Sequence, residues 1–300
     1  MVDRVAAPRL SILIFHRVLA QPDALFPDEI DATRFAILVR TVQRNWRVLP
    51  LGAAAALLQQ NRLPPRALAI TFDDGYADNA EIALPILQRA GLPATFFVAT
   101  GFLDGGRMFN DTVIECLRAT SLERVDLGDF GLGVRVLGSA AARRAVIEEL
   151  LPRVKYLGLA EREPFLERLL RQCGQPKLPH DLMMRSEQVV QLHRAGMAIG
   201  AHTVRHPILR LLPDDEARAE IARGRTTLED LIGARVELFA YPNGRPGEDY
   251  DARHVEMVRG LEFRAAVSTS PGSAVAGADP YQLPRFTPWD RDPVRWAARL

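Results

Sequence analysis

Short apolar runs alternate with amphipathic segments along most of the chain, and this alternation limits the fold more than any other feature. The runs are typical of buried strands and cover residues 11–15, 67–72, 94–99, 197–201, 236–241 and 263–268. Helical spacing and capping residues, including Asp31 before the first helix, predict helices over residues 35–46, 53–60, 78–90, 187–195, 214–232 and 250–259. Strands and helices in alternation predict an α/β fold with a parallel sheet, either open or closed into a barrel.

Residues 109–177 interrupt this alternation. Two helices with mixed surface charges are predicted over residues 140–151 and 161–173, and a glycine-rich stretch at 128–138 breaks the pattern before them. We therefore expect a single catalytic domain over residues 1–300, with a helical insertion at about 109–177. A lid over the functional site is the expected role of this insertion, in preference to an independent domain.

Composition excludes several classes of function. The 38 basic and 37 acidic residues are balanced, which gives the chain no general attraction to nucleic acid or to a membrane surface. The apolar run at 10–15 is too short for a signal peptide or a membrane span, so a cytoplasmic location is expected. Cys116 and Cys173 lie among apolar residues in helical segments and are expected to be buried thiols. The oligomeric state is left open.

Acidic and histidine side chains follow three of the predicted strands at the point where each ends. Asp73 and Asp74 follow one run, His202 and His206 follow another, and His16 follows the first. The carboxyl ends of parallel strands form one face of an α/β fold, so these groups are expected to meet there. One carboxylate and two imidazoles make an open zinc site with a position for water, which leaves the second carboxylate free as a base.

Each of these features also has a simpler interpretation. Asp-Gly after a strand is an ordinary turn signal, and a single histidine is more often structural than metal-binding. The pair His202 and His206 shares one face if the segment turns helically, which favours ligation. Taken by itself, His16 is explained as a strand-end histidine that is hydrogen-bonded to the backbone. Amide hydrolysis, however, needs a proton donor for the departing amine, and imidazole suits that role.

Residues 71–75, together with His202 and His206, resemble the first two motifs of the polysaccharide deacetylases, carbohydrate esterase family 4. The resemblance implies a distorted (β/α) barrel of the glycoside hydrolase and deacetylase type. It also implies that Asp73 is the general base and that Asp74 and both histidines bind a divalent metal. Zinc fits this ligand set best, while iron, cobalt, nickel and manganese also fit.

Residues 239–244 resemble the family's third motif, which lines the groove for the acetyl group. The resemblance places Tyr241, Pro242 and Asn243 at the substrate. The motif departs from the family pattern in two places. Ala240 stands where an arginine usually braces the base, and Asn243 replaces the usual aromatic residue.

Two further segments are candidates for missing parts of the family pattern. The late motif that carries the proton-donating histidine is absent from the C-terminal part, but residues 12–18 resemble it, as in circularly permuted members. His16 would then be the general acid. Arg285 is the candidate replacement for the arginine missing at Ala240, where it would brace Asp73.

Two additional side chains are candidate substrate contacts. Asp111 could lean over the site from the start of the insertion, or it could cap a helix. Trp289 could stack on a sugar ring, or it could pack in the core.

The sequence as a whole predicts a hydrolase that removes N-acetyl groups from a saccharide containing N-acetylhexosamine. Two alternatives stay open. One is a metal-dependent hydrolase of another C–N amide or of an O-acetyl ester, and the other is a carbohydrate-binding protein with weakened catalysis.

Overall fold

A computed structural model describes residues 9–288 of the chain. Within this range the strands are β1 Arg9–Phe15, β2 Arg47–Val48, β3 Ala67–Phe72, β4 Thr95–Val98, β5 Arg124–Asp126, β6 Val134–Val136, β7 Ala198–Ala201, β8 Leu238–Ala240, β9 Ala265–Pro271, β10 Ala274–Val275 and β11 Leu283–Arg285. The α-helices in the same range are α1 Ala32–Asn45, α2 Leu51–Gln59, α3 Leu84–Ala90, α4 Phe109–Ala119, α5 Ala140–Lys155, α6 Leu159–Gln172, α7 Ser186–Arg194, α8 Asp214–Ile232 and α9 Ala252–Gly260.

Parallel strands form a nearly closed barrel in the order β1-β3-β4-β7-β8-β9-β11. Backbone bonds join its two ends: the Ile14 N–H donates to the Phe286 carbonyl at 2.9 Å, and the Phe286 N–H donates to the Ile12 carbonyl at 2.7 Å. The barrel is distorted because β10 joins β1 antiparallel and the register shifts between β9 and β11. The prediction of a distorted (β/α) barrel is confirmed.

Successive side chains of each strand point to opposite faces of the barrel wall, so they contribute to two separate hydrophobic cores. In β3, Leu68 and Ile70 face the helices outside the barrel, while Ala67 and Ala69 face its interior. The interior strand positions are small apart from Phe97 and a few aliphatic side chains, because a narrow barrel leaves little room. Gly200 on β7 accommodates Phe97, since a Cβ there would lie 2.3 Å from the ring.

Helices α4, α5 and α6 and the hairpin of β5 and β6 lie between β4 and α7. They enclose a hydrophobic core of their own, which includes Ile147, Leu150 and both buried cysteines, so α5 and α6 are not simple surface helices. The glycine-rich stretch predicted as a break, residues 128–138, contains the hairpin connection and strand β6. The flanking segments lie together, because Arg107 Nη1 donates to the Pro179 carbonyl at 2.6 Å.

The helix predicted over residues 78–90 is the main correction to the secondary structure. A π-helical turn, Asn79–Ala83, precedes α3, which begins at Leu84. Pro85 explains the change, because it has no N–H to donate and its ring clashes with the carbonyl four residues earlier. Asp31 caps α1 as predicted, accepting from the N–H groups of Thr33 and Arg34. Among residues 9–288, no helix is both long enough and apolar enough to cross a bilayer.

Candidate metal centre

Three strand ends bring the predicted site residues to the same face of the barrel. Asp73 follows β3, and its N–H donates to the Phe15 carbonyl at the end of β1 at 2.9 Å. His202 follows β7, and its N–H donates to the Val98 carbonyl at the end of β4 at 3.2 Å. The parallel ladder therefore continues past the strands and fixes the backbone of the predicted site residues.

Asp74, His202 and His206 converge in a buried cluster. Asp74 Oδ1 lies 3.4 Å from His202 Nε2 and 3.5 Å from His206 Nε2. Two ligands about 2.0–2.2 Å from one tetrahedral zinc ion lie roughly 3.3–3.5 Å apart, so the spacing fits a shared metal. Asp74 Oδ1 is buried and has no hydrogen-bond partner among the described residues, as expected of an atom that faces a cation.

The two imidazoles differ in their surroundings. His202 Nδ1 lies 2.7 Å from the Ala240 carbonyl, which orients the ring so that Nε2 faces Asp74. Burial opposes a charge on His202, but the Asp74 carboxylate outweighs it and raises the pKa of this histidine. Burial lowers the pKa of His206 to about 3, so this imidazole is neutral, as a metal ligand must be.

The segment from His202 to His206 is an irregular turn, which corrects the helical turn considered from the sequence. Thr203 and His206 adopt positive φ angles of 64° and 51°. Glu220 of α8 accepts from the N–H groups of Val204 at 3.0 Å and Arg205 at 2.8 Å. The carboxylate fixes the turn that lets both rings converge. Nothing in the sequence around Glu220 distinguishes it from other acids of α8.

Gly224 allows α8 to approach this turn closely. A Cβ at Gly224 would lie 2.7 Å from the Thr203 carbonyl oxygen. Asp74 on the facing loop also has a positive φ, 77°. Such conformations cost free energy and persist where the surroundings impose them, so part of the backbone strain of the fold lies at the candidate centre.

Asp73 forms a buried bidentate ion pair with Arg285 of β11. Nη1 of Arg285 lies 2.7 Å from Oδ1 and Nη2 lies 2.6 Å from Oδ2. Arg285 also donates to Thr71 Oγ1 at 3.1 Å and to the Ser268 carbonyl at 2.8 Å. Burial alone would raise the pKa of Asp73, but the guanidinium lowers it below its usual value. Asp73 is therefore ionised and held in one orientation.

His16 lies at the exposed rim, where it follows β1. Asn79 Nδ2 donates to the His16 carbonyl at 2.9 Å, and Asp78 accepts from the Val18 N–H at 3.1 Å and from Arg17 Nε at 2.8 Å. His16 contributes to the low pKa values of Asp73 and Asp74, which places it within electrostatic reach of both carboxylates.

A cavity of about 480 Å³ opens beside His16. Its walls come from the barrel rim, from the loop between β1 and α1, and from α5 of the insertion; they include Arg17, Phe26 and Arg144. Leu25 anchors the loop wall in the core of the insertion, and Asp23 forms a bidentate pair with Arg118. The cavity is therefore bounded by fixed elements on both sides.

The third motif reaches the same face mainly through its backbone. The Tyr241 ring is buried in the outer core and stacks on Tyr250 at a centroid distance of 3.8 Å, so its side chain faces away from the barrel interior. Pro242 is also buried. Asn243 has a φ of 58°, and its Nδ2 is buried without a hydrogen-bond partner among the described residues.

Asp111 lies in the first turn of α4, after Met108 at the N-cap position, so it does not cap that helix. Its carboxylate accepts from the Tyr76 hydroxyl at 3.1 Å, and its second oxygen is buried without a partner among the described residues. Burial raises the pKa of Asp111 to about 7, and the charge of Asp74 also raises it. Trp289 lies outside the described residues.

A model of the polysaccharide deacetylase family matches residues 60–125 and 160–266, which is more than half of the chain. The chain belongs to the polysaccharide deacetylase family. The matched residues include the aspartate pair, both histidines and the third motif, and they leave out β6 and α5 of the insertion.

A curated sequence relative and two solved structures match most of this polysaccharide deacetylase at low sequence identity. YxkH of Bacillus subtilis (strain 168), whose name assigns it to the same enzymes, is 19% identical over 92% of this chain and 70% of its own length. The Streptococcus pyogenes deacetylase PplD superposes with a TM-score of 0.64 at 18% identity, covering 97% of both chains. IcaB from Ammonifex degensii superposes with a TM-score of 0.64 at 19% identity, covering 98% of both chains.

Proposed function

We propose that the protein is a metal-dependent hydrolase that removes N-acetyl groups from a saccharide containing N-acetylhexosamine. The observation that carries the proposal is the Asp74, His202 and His206 cluster next to the buried pair of Asp73 and Arg285. A divalent metal held by the cluster supplies Lewis acidity to the acetyl carbonyl and to the attacking water. Zinc suits the ligands best, and iron, cobalt, nickel and manganese are the alternatives.

Asp73 has the properties of a general base in this reaction. It is ionised because Arg285 lowers its pKa, and it adjoins the ligand Asp74 in the chain. It would accept the proton of the attacking water. The carbonyl oxygen, which gains negative charge, would be stabilised by a backbone N–H near Asn243 and by the Asn243 amide.

His16 would donate the proton that the departing amine needs. Its exposed position at the rim suits a group that must meet a large leaving saccharide, and the adjoining cavity offers room for that saccharide. The products would be the free amino sugar and acetate. The intact base favours catalysis over the alternative of a pure binding protein. A cytoplasmic location remains a prediction from the sequence.

Acetate release from N-acetylglucosamine oligomers, measured together with metal content, tests the proposal. The wild-type protein should bind metal and release acetate, and His202→Ala should lose both. His180→Ala is the matched control, because His180 is exposed and distant in sequence from the cluster. Asp73→Asn should keep the metal but lose about two to four orders of magnitude in turnover.

Three outcomes would contradict parts of this proposal. Full metal content and activity in His202→Ala would remove the metal assignment. Metal loss in Asp73→Asn would mean that the roles of the two aspartates are exchanged. Release of acetate from O-acetyl esters alone would favour the ester hydrolase.

A further inference from the structure

The cavity beside His16 begins next to the proposed base. Phe15 is the ladder partner of Phe72, so the residues that follow them, His16 and Asp73, are neighbours on adjacent strands. The Asp73 N–H donates to the Phe15 carbonyl at 2.9 Å, which continues the pairing to this point. Neighbouring strands lie about 4.8 Å apart. The edge of the cavity at His16 is therefore about one strand spacing from the backbone of Asp73.

Both walls of the cavity are fixed by contacts within the protein. The loop wall, residues 26–30, is held from α1, where Arg34 Nη1 donates to the Glu29 carbonyl at 3.0 Å. The facing wall is one turn of α5, where Arg144 Nε lies 3.9 Å from Glu148 Oε1. The volume of about 480 Å³ falls within the range of about 300–1,000 Å³ that is typical of small-molecule sites. The cavity is therefore preformed and large enough for a sugar ring.

The lining combines an aromatic surface with charged groups of both signs. Phe26 is half-buried: it lines the cavity and also packs on the core of the insertion. Arg17 and Arg144 carry hydrogen-bond donors, while Glu29 and Glu148 carry acceptors. A sugar ring has apolar C–H faces, and the hydroxyls at its edge both donate and accept. An aromatic surface with donors and acceptors around it therefore suits a neutral sugar, whereas an ionic ligand would meet a like charge.

The walls of the cavity stand outside the part of the chain that matches the family model. That model matches residues 60–125 and 160–266, and Phe26, Arg144 and Glu148 lie in neither range. Segments that surround an active face commonly determine which substrate is selected. The cavity is thus a feature through which this chain can differ from other deacetylases in the saccharide that it accepts.

We propose that the cavity is a saccharide subsite, which holds the sugar linked to the N-acetylhexosamine unit that loses its acetyl group. The inference rests on the proposed function, because that function identifies the substrate as a saccharide. Phe26 contacts the C–H face of this second sugar, and Arg144 and Glu148 bind its hydroxyls. The substrate class is then a neutral oligo- or polysaccharide, and a single N-acetylhexosamine is a poor substrate because it leaves the subsite empty.

N-acetylglucosamine and its tetrasaccharide test the subsite in the metal-loaded protein. The kcat/KM of the wild type should be at least about tenfold higher on the tetrasaccharide, because its additional sugars gain apolar contact with Phe26. Phe26→Ala should remove most of this difference, mainly through a higher KM for the tetrasaccharide. The value for the monosaccharide should change less than about threefold. Equal values of the wild type on the two substrates would overturn the proposal.

Matched variants separate recognition from the packing role of Phe26. Phe26→Tyr keeps the flat ring and should retain the preference for the tetrasaccharide. Phe26→Leu keeps apolar packing on the insertion, so it should retain the wild-type melting temperature but lose most of the preference. Tyr156→Ala removes an exposed aromatic side chain at the end of α5, outside the described lining, and should leave both values unchanged. An equal loss on both substrates in Phe26→Leu would assign the residue a structural role and overturn the proposal.

The wall on α5 has its own test. Arg144→Ala combined with Glu148→Ala should lower kcat/KM on the tetrasaccharide by about tenfold, because the sugar loses hydrogen bonds to charged groups. The matched control is Arg168→Ala combined with Glu167→Ala, which removes an exposed pair from α6 and should leave kcat/KM unchanged. An unchanged value in the α5 variant would refute the contribution of this wall to the subsite.

Calorimetric titration decides the proposal independently of turnover. In the Asp73→Asn variant, which should hydrolyse its substrate slowly, the tetrasaccharide should bind about tenfold more weakly once Phe26→Leu is added. Equal binding with and without Phe26→Leu would refute the subsite. A lack of acetate release from both substrates by the wild type would contradict the proposed function instead, and the titration would still test the cavity.

Discussion

Asp73 and Asp74 are neighbours in the chain, but their side chains face different partners. Asp73 is fixed by both Nη groups of Arg285, whereas Asp74 faces two imidazoles and keeps one oxygen without a hydrogen bond. Successive side chains at the end of a strand point in different directions, so adjacent residues can enter different environments. This geometry supports separate roles for two chemically identical groups.

Arg285→Met should affect both catalysis and stability. Arg285 lowers the pKa of Asp73, so the pair stabilises the fold above the ordinary pKa of an aspartate, and this stabilisation is lost as the pH falls through the lowered value. In the variant the pKa of Asp73 rises, and the acidic limb of the pH–rate profile should move to higher pH. Unfolding by urea at pH 7 should show a loss of about 3–5 kcal/mol, because a buried charge is left unpaired.

The double variant Asp73→Asn with Arg285→Met is the control for stability. It removes both charges, so it should be more stable than Arg285→Met alone. Equal stability of the single and double variants, together with an unchanged acidic limb, would mean that Arg285 does not act through Asp73.

The site residues that the sequence identified are those that belong to short local motifs. Asp73, Asp74, His202 and His206 stand in two such segments. Glu220 and Arg285 act on them from other elements, and Arg285 is 212 positions from Asp73. The partnership of Arg285 with Asp73 was expected only because Ala240 replaces an arginine of the family motif, and no feature near Glu220 indicated its contact with the turn.

At the scale of elements, the π-helical turn before α3 connects the aspartate motif with the rim that carries His16. Asn79 is fully buried, and its amide bonds to the His16 carbonyl. Asn79→Ala should therefore loosen the His16 segment and lower turnover by about tenfold, the change given by the loss of one hydrogen bond to a backbone carbonyl. Metal content should stay at the wild-type level, which metal analysis can check beside the kinetic assay.

Asn45→Ala is the matched control for this variant. Asn45 donates to the Thr41 carbonyl on the exposed side of α1, so its removal should leave turnover unchanged. If Asn79→Ala has full turnover, or if it loses metal, the bond to the His16 carbonyl does not position the proton donor.

Element boundaries were predictable where strong local signals stand at both ends. The strand over residues 67–72 and the helix over 214–232 have the predicted limits, the latter because Pro213 precedes it and Gly233 adopts a left-handed φ after it. The short strands β10 and β11 have no such signal. Strand β11 contains Pro284 and exists because β9 and β1 flank it, so its pairing depends on the closed barrel.

At the scale of the molecule, the insertion and the barrel have separate hydrophobic cores, but both line the cavity beside His16. The flanking segments are joined by bonds of Arg107 with Pro179 and of Asp104 with Ser186, so a short linker can span the gap. Replacing residues 109–177 with a glycine linker should leave the barrel folded and the metal bound, because Asp74 and both histidines lie outside the replaced range. Acetate-release assays should show altered substrate choice, since Asp111 and the wall that α5 gives the cavity are removed.

Leu25 belongs to the barrel side of the chain but packs in the core of the insertion, so removal of residues 109–177 would expose its side chain. Leu25→Ser in the shortened chain limits aggregation without touching the barrel core. Unfolding of the shortened protein, measured by circular dichroism, or an unchanged substrate choice would refute the lid role of the insertion.

The ion pair of Asp73 and Arg285 has a consequence for synthesis on the ribosome. It joins groups 212 positions apart, and the chain grows at about 5–20 residues per second. The aspartate is thus added to the chain roughly 10–40 s before its arginine. During this interval the barrel is open at β11, and the base has neither its fixed orientation nor its lowered pKa. Translation therefore completes the cluster of Asp74, His202 and His206 first and fixes the proposed base last, so hydrolysis is expected only once the barrel is closed.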